Sequence, residues 1–245
     1  MIPFLLVAAV ATAAPKSAAP PKALITGTVP RAACPDVITP DALVCRALDA
    51  ESKGDNASAA QGFEEAAKAA GDKDIKTARM YAAAGNLWIA ADQSAKAAAD
   101  IDKALSLNGL DGKQRGQALL DRARAAEEQG DLTAARARMN EAKVTISDDP
   151  FYWYFSAALA LRERDGGTAQ AAITKALSLA PSDPAVLFEA GHVADFNGDD
   201  DQARSYWMRA AGSDPGGPVG KAAAKAVEML GVTPVVKTDP APAKN

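Results

Sequence analysis

The chain has 245 residues, a formal net charge of −4 and 48% hydrophobic residues, with alanine alone supplying about a quarter of the chain and aromatics only 5%. Few bulky or β-branched side chains disfavour sheets, whereas alanine is the best helix former and lets helix axes approach closely. The acidic balance gives no counterion-release drive toward nucleic acid, and one histidine (His192) with two cysteines excludes a His- or Cys-rich zinc site.

In chain order, Met1 to Ala14 reads MIPFLLVAAVATAA: an apolar stretch from Ile2 to Val10 followed by an A-x-A pattern at Ala11-Thr12-Ala13. This is the outline of a secretory signal peptide cleaved near Ala13 or Ala14. The run is too short to span a bilayer as a helix, which needs about 20 residues, so no integral membrane span is expected. Residues 15–33, rich in Ala, Pro and Lys, form a flexible linker in this reading. Cys34 and Cys45 are the only cysteines. In an exported protein such a pair reads as a disulfide closing a loop of about a dozen residues, worth roughly 3 kcal/mol in the chain-entropy model.

From Pro40 onward the sequence repeats. Pro181 and Pro215 lie 34 residues apart, and the same step divides the chain into adjoining segments 116–149, 150–183 and 184–217. Two weaker copies, 40–73 and 78–111, are each followed by four extra residues. Every copy holds two apolar-periodic stretches separated by a turn: Gly54-Asp55, Asp92-Gln93, Gly130-Asp131, Arg164-Asp165 and Gly198-Asp199. Gly suits the left-handed end of a first helix and Asp the start of a second. Residues 218–231 carry Ala223, Val227 and Leu230 on one stripe, a helix that would cap the last repeat. The proline-containing tail 232–245 is expected to be disordered.

This pattern resembles the tetratricopeptide repeat (TPR). That family has a large apolar residue at the fourth position of each copy, here Leu43, Tyr81, Leu119, Trp153 and Leu187. It has small residues at the eighth, here Ala47, Gly85, Ala123, Ala157 and Gly191. Alanine fills the twentieth (Ala59, Ala97, Ala135, Ala169, Ala203) and the twenty-seventh (Ala66, Ala104, Ala142, Ala176, Ala210). The resemblance implies an all-α, right-handed α-α superhelix of five helix pairs plus the capping helix, spanning residues 34–231. The Cys34–Cys45 bridge would pin the incoming chain at its N-terminal end.

The resemblance also implies a concave groove lined by the first helix of each copy. Its candidate binding residues are Arg79, Asn86, Arg124, Phe151, Tyr154, Arg162, Phe188 and His192. Nine of the 13 aromatics lie between Phe151 and Trp207, and residues 151–155 are five consecutive rings. With Trp153 assigned to the repeat core, Phe151 and Tyr154 would face the groove beside Phe188, flanked by Arg124 and Arg162. Asn86 and Arg79 are similar to carboxylate-binding residues of some such proteins, but the full basic set is missing. His192 and Asp195 lie three apart and could form an acid/base pair; with no nucleophile or third group, catalysis is not expected.

The expected function is therefore a non-catalytic scaffold without cofactor or metal. It would bind a peptide or protein segment in the groove, in the periplasm or secreted, in envelope assembly. The alternative is an envelope-associated subunit acting through its convex surface.

Overall fold

A computed structural model describes residues 34–230, which are helical apart from residues 34–39 and the connecting turns. The predicted signal peptide, linker and C-terminal tail lie outside the described residues. Two compact units divide the chain at 145/146. The first holds α1 (Pro40–Ser52), α2 (Asn56–Ala70), α3 (Thr77–Ala90), α4 (Ser94–Ser106), α5 (Gly112–Glu128) and α6 (Leu132–Ile146), whose final residue is counted with the second unit. The second holds α7 (Pro150–Arg162), α8 (Gly166–Leu179), α9 (Pro184–Phe196), α10 (Asp200–Ser213) and α11 (Pro218–Leu230).

Local chemistry sets the helix boundaries. The side chains of Asp55, Asp165 and Asp199 each accept a hydrogen bond from the backbone N–H three residues on, starting α2, α8 and α10. Each such cap is worth about 1 kcal/mol. Proline at the first turn of α1, α7 and α9 sacrifices only an N–H that would lack a partner anyway. The turn before each second helix is left-handed in every pair, at φ 78° for Gly54, 81° for Gly130 and 79° for Gly198. Asp92 and Arg164 adopt the same conformation, at φ 58° and 62°, without glycine's freedom.

The two four-residue insertions differ. Residues 112–115 extend α5 by one turn, because Asp111 and Gln114 form a reciprocal capping box. Residues 74–77 instead make a tight turn, in which Asp74 Oδ1 accepts from Lys76 N–H at 2.8 Å and Thr77 Oγ1 donates to the Gly71 carbonyl at 2.7 Å.

All ten alanines at the twentieth and twenty-seventh positions have 0% exposure. A methyl side chain lets the paired helices touch there, and helix contact rather than propensity alone accounts for the alanine content. In the first unit the core gathers Phe63, Leu87, Trp88 and Ile101. Trp88 Nε1 donates to Asp100 Oδ2 at 3.1 Å, and burial pushes the Asp100 carboxyl up to about 6. In the second unit Leu187, Phe188, Trp207 and Ala223 share one cluster, against which Val227 and Leu230 of α11 pack. Trp207 Nε1 donates to the Phe188 carbonyl at 3.0 Å. Gly191 makes room for that indole: a Cβ there would overlap Nε1 and Cδ1 of Trp207.

At the N-terminal end Cys34 and Cys45 are bonded, with Cα atoms 5.7 Å apart. Arg46 donates to the carbonyls of Pro35 and, at 3.1 Å, Val37, so the segment before α1 is held against that helix at two places.

Candidate functional site

In the first unit, α3 packs on α5, and these first helices carry the polar groups. Asn86 Nδ2 donates to Asp121 Oδ2 at 2.9 Å, and Arg124 donates to Asp121 Oδ1 at 2.8 Å. Asn86 and Arg124 are thus brought together by a carboxylate that the sequence analysis did not single out. Both bonds involve part-buried side chains, where charge-assisted pairing is stronger than in open solvent. Arg79 is exposed, and its Nε donates to the Gly109 carbonyl at 3.1 Å, bracing the turn before α5. Asp121 therefore already engages one donor of Asn86 and one of Arg124.

In the second unit, α9 packs on both α7 and α11. The expectation of open aromatic anchors is corrected here. Tyr154 is 5% exposed and Phe188 6%. Phe188 belongs to the Trp207 cluster and meets the His192 ring edge-on at 4.5 Å, while Tyr154 is stacked on Phe151 at 5.4 Å. Five consecutive rings on a helix point in every direction, and burial falls on Tyr152, Tyr154 and Phe155. Phe151 stays part-exposed. Trp153, assigned to the repeat core from the sequence, is also only part-buried, and its Nε1 donates to the Ser147 carbonyl at 2.8 Å. Arg162 is exposed in the last turn of α7.

His192 is half-buried between Phe188 and Trp207, the latter ring 5.3 Å away. Burial pushes its imidazole down to about 4, so it is neutral at physiological pH. Asp195 is exposed, and its carboxyl is shifted upward by burial and by Asp200. An imidazolium partner would shift it the other way, so the two residues do not act as an ion pair. Glu189, one turn before His192, is 4% exposed, and burial pushes its carboxyl up to about 8. Among the described residues no group of His, Cys, Asp or Glu is arranged to hold a metal ion, and no helix is long and apolar enough to cross a membrane.

Neither a protein-family profile nor a curated protein sequence matches the chain. Solved structures do. PilW, described as a widely conserved type IV pilus biogenesis factor, matches with a TM-score of 0.61 at 19% identity, covering 75% of this chain and 81% of its own. PilF of Pseudomonas aeruginosa matches at 0.59 and 16% identity, covering 78% and 83%. YrrB, described as a TPR protein with an unusual peptide-binding site, matches at 0.52 and 16% identity, covering 75% and 91%. The chain has the tetratricopeptide-repeat fold.

In TPR register Asp121 and Glu189 hold the same place, the sixth position of their copies. That position carries Cys45, Ala83 and Phe155 in the other copies. A carboxylate at a position otherwise filled by apolar side chains was the available signal for both residues. It escapes a reading that follows only the conserved small positions of a TPR.

Proposed function

We propose that this chain is a non-catalytic interaction module that binds protein or peptide segments along the first helices of its units, in assembly work at a bacterial envelope. The observation that carries the reading is a contrast in exposure. The inward positions of the second helices are sealed by alanine, while Asn86, Arg124, Phe151 and His192 on first helices stay part-exposed and Arg79 and Arg162 are exposed. Chemical variety is thus kept where a ligand can reach it. Peptide binding in YrrB and pilus biogenesis in PilW support the same direction. The signal-peptide pattern at Met1–Ala14 and the bonded Cys34–Cys45 pair support export to an oxidising compartment, the periplasm or beyond.

Site-specific photocrosslinking in a bacterial host tests this. A photoreactive residue at Phe151 or Arg162 should give discrete adducts from the envelope fraction. Exposed second-helix positions, Ser178 and Met208, should give none. Adducts only from Ser178 and Met208 would transfer the function to the opposite surface.

A further inference from the structure

The two sixth-position carboxylates have different surroundings. Asp121 is ion-paired within its own unit to Arg124, three residues on, and accepts a hydrogen bond from Asn86 of the preceding copy. The matching places around Glu189 are His192, which is uncharged at physiological pH, and Ala158, which offers only a methyl. No described side chain makes a hydrogen bond or ion pair with Glu189, and burial alone sets its upward shift. Every side-chain oxygen or nitrogen sealed from solvent among the described residues has a partner. The Glu189 side chain is therefore not completely sealed, in keeping with its 4% exposure. Burial holds the proton on a carboxyl so deep, and ionising it there is costly unless a cation arrives.

The outlet is set by α9. Ala185, Glu189, His192 and Phe196 are spaced four, three and four residues apart and share one helix face. Ala185 and His192 are part-exposed and Phe196 is 45% exposed, so Glu189 is the deep member of an open and otherwise uncharged stripe.

We propose that this stripe takes a peptide segment bearing a lysine or arginine between apolar residues, with the basic head seated on the Glu189 carboxylate. The ligand then supplies in the second unit what Arg124 supplies in the first. This deepens the interaction-module reading and rests on it. A basic head brings its own aliphatic stem, which suits apolar walls, and a desolvated charge pair discriminates strongly against neutral competitors.

The test uses the full chain, isotope-labelled, at pH 8.5. The probes are a blocked pentapeptide, leucine-alanine-lysine-alanine-leucine, and its counterpart with norleucine in place of lysine. The lysine peptide should shift the amides of α9 saturably and bind at least tenfold more tightly than the norleucine peptide. Glu189→Gln, which keeps the shape, should reduce that preference to less than twofold. Equal binding of both peptides by the unaltered chain overturns the role of Glu189 and leaves groove binding standing. An undiminished preference in Glu189→Gln likewise overturns it. Absence of binding by either peptide overturns the proposal together with groove binding in this unit. The comparison of the two peptides on the unaltered chain needs no variant, so poor folding of Glu189→Gln would not blunt it.

Discussion

Gly191→Ala measures how tightly the eighth position is packed. On an isolated helix the change would be favourable by about 1 kcal/mol. Here the new Cβ would overlap Nε1, Cδ1 and Cε2 of Trp207, an indole that is buried and hydrogen-bonded to the Phe188 carbonyl at 3.0 Å. Relief requires the ring or α10 to move by about 1 Å. Overpacking of this kind costs about 1–3 kcal/mol, and loss of the indole hydrogen bond adds about 1 kcal/mol. After subtracting the helix-propensity gain, the net destabilisation is about 2 kcal/mol. For a chain of this size that lowers Tm by about 4–8 °C. Gly212→Ala is the control, since Gly212 lies on α10 with nothing within 4 Å of its would-be Cβ. It should leave Tm unchanged or raise it. Thermal melts followed by circular dichroism and tryptophan fluorescence compare the two. If Gly191→Ala melts at or above Gly212→Ala, the close approach of α9 and α10 at this position is wrong.

Other substitutions follow the same geometry. Arg164→Gly relieves a left-handed residue at φ 62° and should raise the urea midpoint by an amount equivalent to about 0.5–1 kcal/mol, because the strain exceeds glycine's extra chain entropy. Ala169→Leu places a larger side chain at a site of 0% exposure and should cost about 1–3 kcal/mol in the same assay; an unchanged midpoint would refute the register. Stability should also depend on pH through Glu189. Between its ordinary value of 4.5 and about 8 the folded chain keeps a proton that the unfolded chain has lost, so stability falls as pH rises across that window. Asp100 acts in the same sense, but only between 3.8 and about 6. His192 opposes them, losing stability as pH falls from 6.5 toward about 4. Above pH 6.5 the Asp100 and His192 contributions level off, and Glu189→Gln should flatten the fall of the denaturation midpoint toward pH 8.

The helical repeat was legible in the sequence because its signals are local or periodic. Turn residues at Gly54, Gly130 and Gly198, aspartate caps and alanines 34 residues apart each act within one helix pair, and a composition poor in β-branched residues removes the competing sheet. Even the left-handed turns at Asp92 and Arg164 were marked by alignment with the glycines of other copies. The candidate site was legible only in part. Asn86 and Arg124 were placed on the correct helices, but that Asp121, 35 residues from Asn86, pairs with both is decided by the packing of α3 on α5. Tyr154 and Phe188 looked like free anchors because ring chemistry is the same whether a face is open or closed.

What the sequence determined by itself was therefore the repeat: where helices begin and end, which positions must be small, and which carry varied side chains. Tertiary structure decided which of those varied side chains are already satisfied. Burial and charge pairing depend on neighbours from other helices, so two carboxylates at one register position acquire opposite states: Asp121 paired by its own chain, Glu189 buried without a cation.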